Sequence, residues 1–197
     1  MSDAETLKVY AQKAAEYEAV TGAGVSEDPL LAKFISALPS QSHVLDLGCG
    51  PGLCAAAIAA AGHQVTATDA VPEMIERARQ HQGVTAQLAT FDEIDGEDVF
   101  DGVWANFSLL HAARDAMPRH LAAVHRALKP GGLFHIALKS GQESRRDTLG
   151  RFYTYYTEDE LAALLRIAGF TVTDRFSGRD KGLDGALADW IAFHAHA

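Results

Sequence analysis

The residues with chemical potential in this chain of 197 amino acids fall into three groups. The first runs Val-Leu-Asp-Leu-Gly-Cys-Gly-Pro-Gly from Val44 to Gly52, where Asp46 interrupts an apolar run that stops at Gly48. Gly48, Gly50 and Gly52 alternate with Cys49 and Pro51, so every second side chain is missing and the backbone can take φ > 0 with a ligand against its N–H groups. The second is a lone carboxylate, Asp69, at the end of the run Gln64–Thr68, followed by Ala70. The third is a downstream set of polar, aromatic and cationic groups: Asn106, Phe107, Ser108 and His111, then Lys139, Arg145, Arg146 and Arg151 with Tyr153 and Tyr155. A glycine turn beside carboxylates suits a nucleotide or another polar ligand, and His111 is the best-placed side chain to act as a base.

These groups need elements to hold them. Val44, Leu45 and Leu47 read as a buried strand, and Leu53–Ala61, almost all Ala with Leu, Ile and Cys, reads as a helix. The turn therefore feeds a helix N-terminus, whose free N–H groups and partial positive charge suit a carboxylate or phosphate. Ala4–Ala19 carries Leu7, Tyr10, Ala11, Ala14 and Tyr17 at helical spacing, and Leu30, Leu31, Phe34, Ile35 and Leu38 form a second stripe ended by Pro39. Pro72 opens a helix with Met74, Ile75 and Ala78 on its inner side, and Thr85–Ala89 is a third strand. Phe100–Asn106 is a fourth strand, Pro118–Ala127 a helix, Leu128–Gly132 a turn and Leu133–Leu138 a fifth strand. Thr157 and Glu160 form a capping box for a helix through Ala168, ended by Gly169. Phe170–Phe176 and Trp190–His194 are the last strands, joined by an exposed connection over residues 177–185.

Spacing discriminates among nucleotide ligands. A dinucleotide fingerprint wants glycines at relative positions one, three and six, and here the sixth place is Leu53. There is no Gly-Lys-Ser/Thr ending for a phosphate loop. The pattern Asp-x-Gly-x-Gly-x-Gly resembles the first motif of class I S-adenosylmethionine-dependent methyltransferases, and Asp69 falls where those enzymes place the acidic residue that accepts the ribose hydroxyls. Phe-Asp at the start of the fourth strand and Leu-Lys-Pro-Gly-Gly before the fifth strengthen the likeness, which covers about residues 40–195. The Trp-Ala-Asn-Phe-Ser-Leu-Leu-His, Leu-Lys-Ser-Gly and Gly-Arg-Phe-Tyr-Thr-Tyr-Tyr-Thr stretches look like a bacterial small-molecule subgroup that includes tellurite-resistance-like proteins.

The resemblance implies an α/β fold: a Rossmann-like seven-stranded sheet with helices on both faces and an antiparallel last strand. It implies N-terminal helices over residues 1–39 that cover the active site, and a core over residues 40–197 that binds S-adenosylmethionine and yields S-adenosylhomocysteine. Asp46, Gly48, Cys49, Gly50, Gly52, Asp69, Ala70, Met74, Phe91, Asp92, Asn106 and Phe107 are the expected cofactor contacts, with Phe91 or Asp92 at the adenine. Tyr10, Tyr17, His111, Lys139, Arg151 and Tyr153 are the expected acceptor contacts, His111 being the candidate base. Bland alternatives stand beside these: core packing for the tyrosines and Phe91, a cleft-wall or capping role for His111, and solvated pairing of Arg145 and Arg146 with Glu143 and Asp147. Asn-Phe-Ser-Leu is not the Asn-Pro-Pro-Tyr type of motif, which argues against a nucleobase acceptor.

Composition narrows the function further. A net charge of −9 speaks against a broad nucleic-acid face and for a small-molecule substrate. No apolar run reaches the roughly 18 residues of a membrane span and no basic-then-apolar leader opens the chain, so the expected location is cytoplasmic, away from membranes. Cys49 and Cys54 flank the glycine turn without a disulfide or metal spacing, and the histidines are scattered, so no metal site is expected. Two other functions compete: a nicotinamide-dependent oxidoreductase, in which Asp69 serves another adenosine ribose, and a module that binds S-adenosylmethionine without turnover. The acceptor's identity and the oligomeric state stay open at this level.

Overall fold

The structure, a computed structural model, describes residues 3–22 and 24–197. In chain order the elements are α1 (Ala4–Gly22), α2 (Pro29–Ala37), β1 (His43–Leu47), α3 (Leu53–Ala60), β2 (Gln64–Asp69), α4 (Pro72–Ala78), β3 (Val84–Leu88) and β4 (Phe100–Asn106). Then come α5 (Met117–Ala127), β5 (Leu128–Lys139), β6 (Ser144–Arg146), β7 (Phe152–Thr154), α6 (Glu158–Ile167), β8 (Thr171–Lys181) and β9 (Leu187–His196). Seven strands form one sheet in the order β3-β2-β1-β4-β5-β9-β8. The first five pair in parallel, and β9 runs antiparallel between β5 and β8. Strand order reverses between β1 and β4, which is where an open α/β sheet leaves a crevice beyond its carboxyl ends.

Alternation along each strand sends neighbours to opposite faces, and both faces are covered. Val103 and Phe134 pack with Leu121 and Val124 of α5 and Leu161 and Leu165 of α6, whereas Trp104 and Leu133 pack with Leu31 and Phe34 of α2 and Ile58 of α3. Local signals explain the helix starts. Asp28 accepts from Leu30 N and Leu31 N ahead of Pro29, and Thr157 and Glu160 make both bonds of their capping box. Among the described residues no helix is long and apolar enough to cross a membrane.

Three features depart from the sequence reading. Residues 140–156 contain a small hairpin, β6 against β7, whose three-residue strands are too short and polar to announce themselves. The expected exposed connection at 177–185 is strand as far as Lys181. Gly178 pairs there with Trp190, and a Cβ on it would lie 2.4 Å from the indole, so the missing side chain lets the ring cross the strand. Leu128–Gly132, expected as a turn, falls within β5 as a bulge: the pairing with β4 skips from Leu128 to Leu133, and Gly131 has φ 77°. In addition, α1 kinks at Lys13, where φ is −111° and ψ 15°.

Candidate active site

The glycine turn is tied down from below. Gly48, Gly50 and Gly52 all have positive φ, at 72°, 53° and 82°. Gly48 N and Cys49 N both donate to Thr68 O at 2.8 and 2.9 Å. Gly50 N donates to Asp69 Oδ2 and Val71 N to Asp69 Oδ1, each at 2.9 Å. These turn amides are therefore spent inside the protein rather than offered to a ligand, and Asp69 braces the turn while lining the first cavity. The anion at the start of α3 is also internal: the Ala55 N–H points at the Asp46 carboxylate. Asp46 is buried, Oδ2 has no hydrogen-bond partner among the described residues, and burial raises its pKa to about 7 despite that N–H.

Each glycine is required by a different neighbour. A Cβ on Gly48 would stand 2.3 Å from Ser108 Cβ, so the loop after β4 can approach only because Gly48 is bare. On Gly52 it would stand 2.8 Å from Ala78 Cα, which makes Gly52 the seat of α3 on α4. On Gly50 it would stand 3.3 Å from the Tyr17 ring, so the tyrosine from α1 lies directly over this residue.

Three cavities lie around the turn and the α1 residues that cover it. One, of about 70 Å³, is lined by Gly48, Gly50, Asp69, Ala70, Met74, Phe91, Ser108 and His111, and is covered by Tyr10 and Tyr17 of α1. The second, of about 620 Å³, runs along Asp46, Cys49, Cys54, Trp104 and Asn106. The third, of about 160 Å³, is lined by Tyr10, Lys139, Arg151, Tyr153, Asp180 and Trp190. Tyr17 and Phe107 border all three. Phe107 reaches that position with φ 52°, a conformation a bulky residue adopts only when its surroundings impose it, here with Phe107 N donating to Ala137 O at 3.0 Å.

α1 is held over the cleft by the β6–β7 hairpin. Asp3 takes two bonds from Arg146, each 2.9 Å, and Arg146 also reaches Glu5 at 3.2 Å. Arg146 thus pairs with α1 and its leading residue, not with Glu143 or Asp147 as the alternative reading had it. Buried Thr6 accepts from Phe152 N at 2.8 Å. Arg151, only 2% exposed, is bound to Asp147 at 2.6 Å and donates to Tyr10 Oη at 3.0 Å. His111 completes the chain. Its Nδ1 lies 2.6 Å from Phe152 O, which can only accept, so Nδ1 carries the proton and Nε2 accepts from Tyr10 Oη at 2.9 Å. Burial, with Arg151 and Lys139 nearby, lowers the His111 pKa to about 4, the carbonyl bond opposing.

Most of the expected site residues converge here. Asp92 does not: its carboxylate is 2.6 Å from Arg119, outside the three cavities, so Phe91 alone of that pair lines the first one. Gly52 serves helix packing. Thr6, Asp180 and Trp190 belong to the cleft and were not singled out by sequence. Ser108, expected to line the cleft, does so, but nothing in the sequence signals the pairing of Asp180 with Trp190 Nε1 at 2.6 Å.

Comparison with known proteins identifies the family. A methyltransferase-domain family matches residues 44–132. The 1,6-didemethyltoxoflavin-N1-methyltransferase of Burkholderia thailandensis, solved with its acceptor and S-adenosylhomocysteine, is 30% identical with a TM-score of 0.79, over 98% of this chain and 87% of that one. The ubiquinone biosynthesis O-methyltransferase of Xanthomonas axonopodis pv. citri is 30% identical over 75% of this chain and 71% of its own length. The chain belongs to the class I S-adenosylmethionine-dependent methyltransferases. A malonyl-[acyl-carrier protein] O-methyltransferase of Erwinia pyrifoliae is 30% identical over 68% of this chain, which spans 56% of that relative's length. None of these three carries a tellurite-resistance description, so the assignment stands at the level of the methyltransferase family, and the nicotinamide alternative is set aside. The residues present fit the family's cofactor. The bare Gly50, the Asp69 carboxylate lining the first cavity, and Asp46 Oδ2 and Ser108 Oγ, unpartnered among the described residues, are what a polar ligand in the first two cavities would use.

Proposed function

We propose that this methyltransferase moves a methyl group from S-adenosylmethionine to a small, polar or anionic acceptor received in the third cavity. The observation that carries this reading is how the cavities divide. The first two border the glycine turn, whereas the third touches no turn residue yet shares the walls Tyr17 and Phe107 with both. When bound, the cofactor supplies a methyl group on a positively charged sulfur, an electrophile that needs little acid or base help. Asp69 takes the ribose hydroxyls, Phe91 and Met74 flank the adenine, and Asp46 faces the amino-acid tail. The protein's main contribution is to hold the acceptor in line at roughly 3 to 3.5 Å and to exclude water, which is the work of α1 with Tyr10 and Tyr17.

Proton removal is the second task. His111 Nε2 is covered by the Tyr10 hydroxyl, so a proton leaving the acceptor reaches the imidazole only through Tyr10, which passes on its own proton as it takes the new one. The low pKa of His111 keeps Nε2 free of a proton throughout the neutral range. The toxoflavin-type relative methylates a ring nitrogen, as its name states, and a flat polar acceptor suits the aromatic walls of Tyr17, Phe107, Tyr153 and Trp190 here. Incubation with methyl-labelled S-adenosylmethionine and a panel of small acids, phenols and acidic heterocycles tests the reading. Label in a product, together with S-adenosylhomocysteine, supports it. Tight cofactor binding with no transfer to any of them favours a binding module instead.

A further inference from the structure

Charge in the third cavity is distributed so that one cation stands out. Arg151 is neutralised by Asp147 at 2.6 Å. Asp180 also lines the cavity and keeps its negative charge, but its Oδ2 is turned to Trp190 Nε1 and it makes no ion pair with Lys139 among the described residues. Lys181 is exposed at the outer edge. Lys139 Nζ is half-buried, lies 4.0 Å over the Tyr153 ring, and has no carboxylate at ion-pair distance among the described residues. The Asp184 carboxylate faces it across Gly182 without reaching it. Burial pulls the lysine's pKa down, as expected of an ammonium short of compensation. Size is the second constraint. The cavity, open on one side, measures about 160 Å³, and a closed apolar protein cavity of about 150 Å³ takes one benzene molecule.

We infer that the acceptor is a single-ring molecule bearing one anionic group, its ring against Phe107 and Trp190 and its charge on Lys139. This rests on the proposed methyl-transfer reading, which puts the acceptor in this cavity, and goes beyond it by fixing ring count, charge and the residue that selects for both. A compact ammonium is a point donor suited to a carboxylate or phenolate oxygen. Arg151, whose guanidinium is engaged by Asp147 and Tyr10, is excluded from that role.

The test is calorimetric titration of the S-adenosylhomocysteine-saturated protein with benzoate, benzamide, benzylamine and 2-naphthoate. Benzoate should bind at least about tenfold more tightly than benzamide or benzylamine, the scale of one charged hydrogen bond, and more tightly than 2-naphthoate. Lys139→Met should abolish the preference for benzoate over benzamide, and Lys139→Arg should keep part of it. The comparison of probes on the parent protein needs no variant, so it stands even if Lys139→Met folds poorly. Equal binding of benzoate and benzamide, tighter binding of 2-naphthoate, or an unchanged preference in Lys139→Met overturns the inference while leaving methyl transfer intact. Failure of S-adenosylhomocysteine itself to bind overturns the methyl-transfer reading, and this inference with it.

Discussion

Replacing each turn glycine by alanine separates the three jobs that one motif performs. An alanine at positive φ costs roughly 1–2 kcal/mol in backbone strain, and all three positions have positive φ. For Gly50 little is added, because the new methyl meets only the Tyr17 ring at 3.3 Å and the lid side chain can move by tenths of an ångström. For Gly48 and Gly52 the contacts are 2.3 Å to Ser108 Cβ and 2.8 Å to Ala78 Cα, so backbone must shift. Overpacking of that kind adds roughly 1–3 kcal/mol. At roughly 2–4 °C per kcal/mol for a chain of this size, Gly50→Ala should lower Tm by about 2–8 °C. Gly48→Ala and Gly52→Ala should each lower it by about 4–20 °C. Cofactor affinity should follow a different order. Gly50→Ala unseats Tyr17 and weakens S-adenosylhomocysteine binding more than its modest stability loss suggests, whereas Gly52→Ala, if still folded at the assay temperature, binds nearly as the parent does. Thermal melts paired with calorimetry read both quantities. The assignment is wrong if Gly52→Ala loses more affinity than Gly50→Ala, or if Gly50→Ala is the least stable of the three.

Asp69→Asn sets an amide N–H₂ against one of the two backbone N–H groups that the carboxylate holds, and removes a charged acceptor contributing roughly 1.5–3 kcal/mol per bond. Cofactor affinity should fall at least about tenfold by calorimetry; unchanged affinity in a folded variant would place the ribose elsewhere. Arg151→Ala strands Asp147, whose side chain is 5% exposed, and breaking a buried pair costs roughly 3–5 kcal/mol. Urea denaturation should therefore register the substitution before any acceptor assay does, and a variant as stable as the parent would mean that the pair does not hold the hairpin. Stability should also depend on pH through His111. Its folded pKa of about 4 lies below the ordinary histidine value, so the unfolded chain takes up the proton first as pH falls. The neutral ring's contribution is complete above about pH 6.5, is lost between there and about 4, and amounts to roughly 3 kcal/mol at most. His194, lowered to about 4 chiefly by burial, adds the same sign. His111→Phe should flatten the slope of Tm against pH in that window, and an unaltered slope would remove His111 from it.

The elements that position the cofactor were readable because they are local. Buried parallel strands are short apolar runs, the glycines mark the turn, and β2 ends at Asp69 where its alternation stops. The acceptor side was less so. Asp3 meets Arg146 and Tyr10 meets Arg151 across almost the whole chain, and no spacing rule links residues so far apart. Arg151, expected from sequence to contact the acceptor, has its own buried carboxylate four residues away, and Lys139 is left without an ion-pair partner among the described residues. Gly52 looked like a ligand contact because it shares the alternation of Gly48 and Gly50, yet its requirement comes from α4, an element the motif does not contain. Phe107 carried no signal of its positive φ, since the strain is imposed by its anchoring to β5.

A crystal structure of the chain with S-adenosylhomocysteine tests the central claim most directly. The account predicts both ribose hydroxyls on the Asp69 carboxylate, adenine between Phe91 and Met74, and the sulfur beneath Tyr17 and Phe107, facing the cavity of Lys139. Density for the ligand away from the Gly48–Asp69 cleft, or its sulfur turned from that cavity, would contradict it.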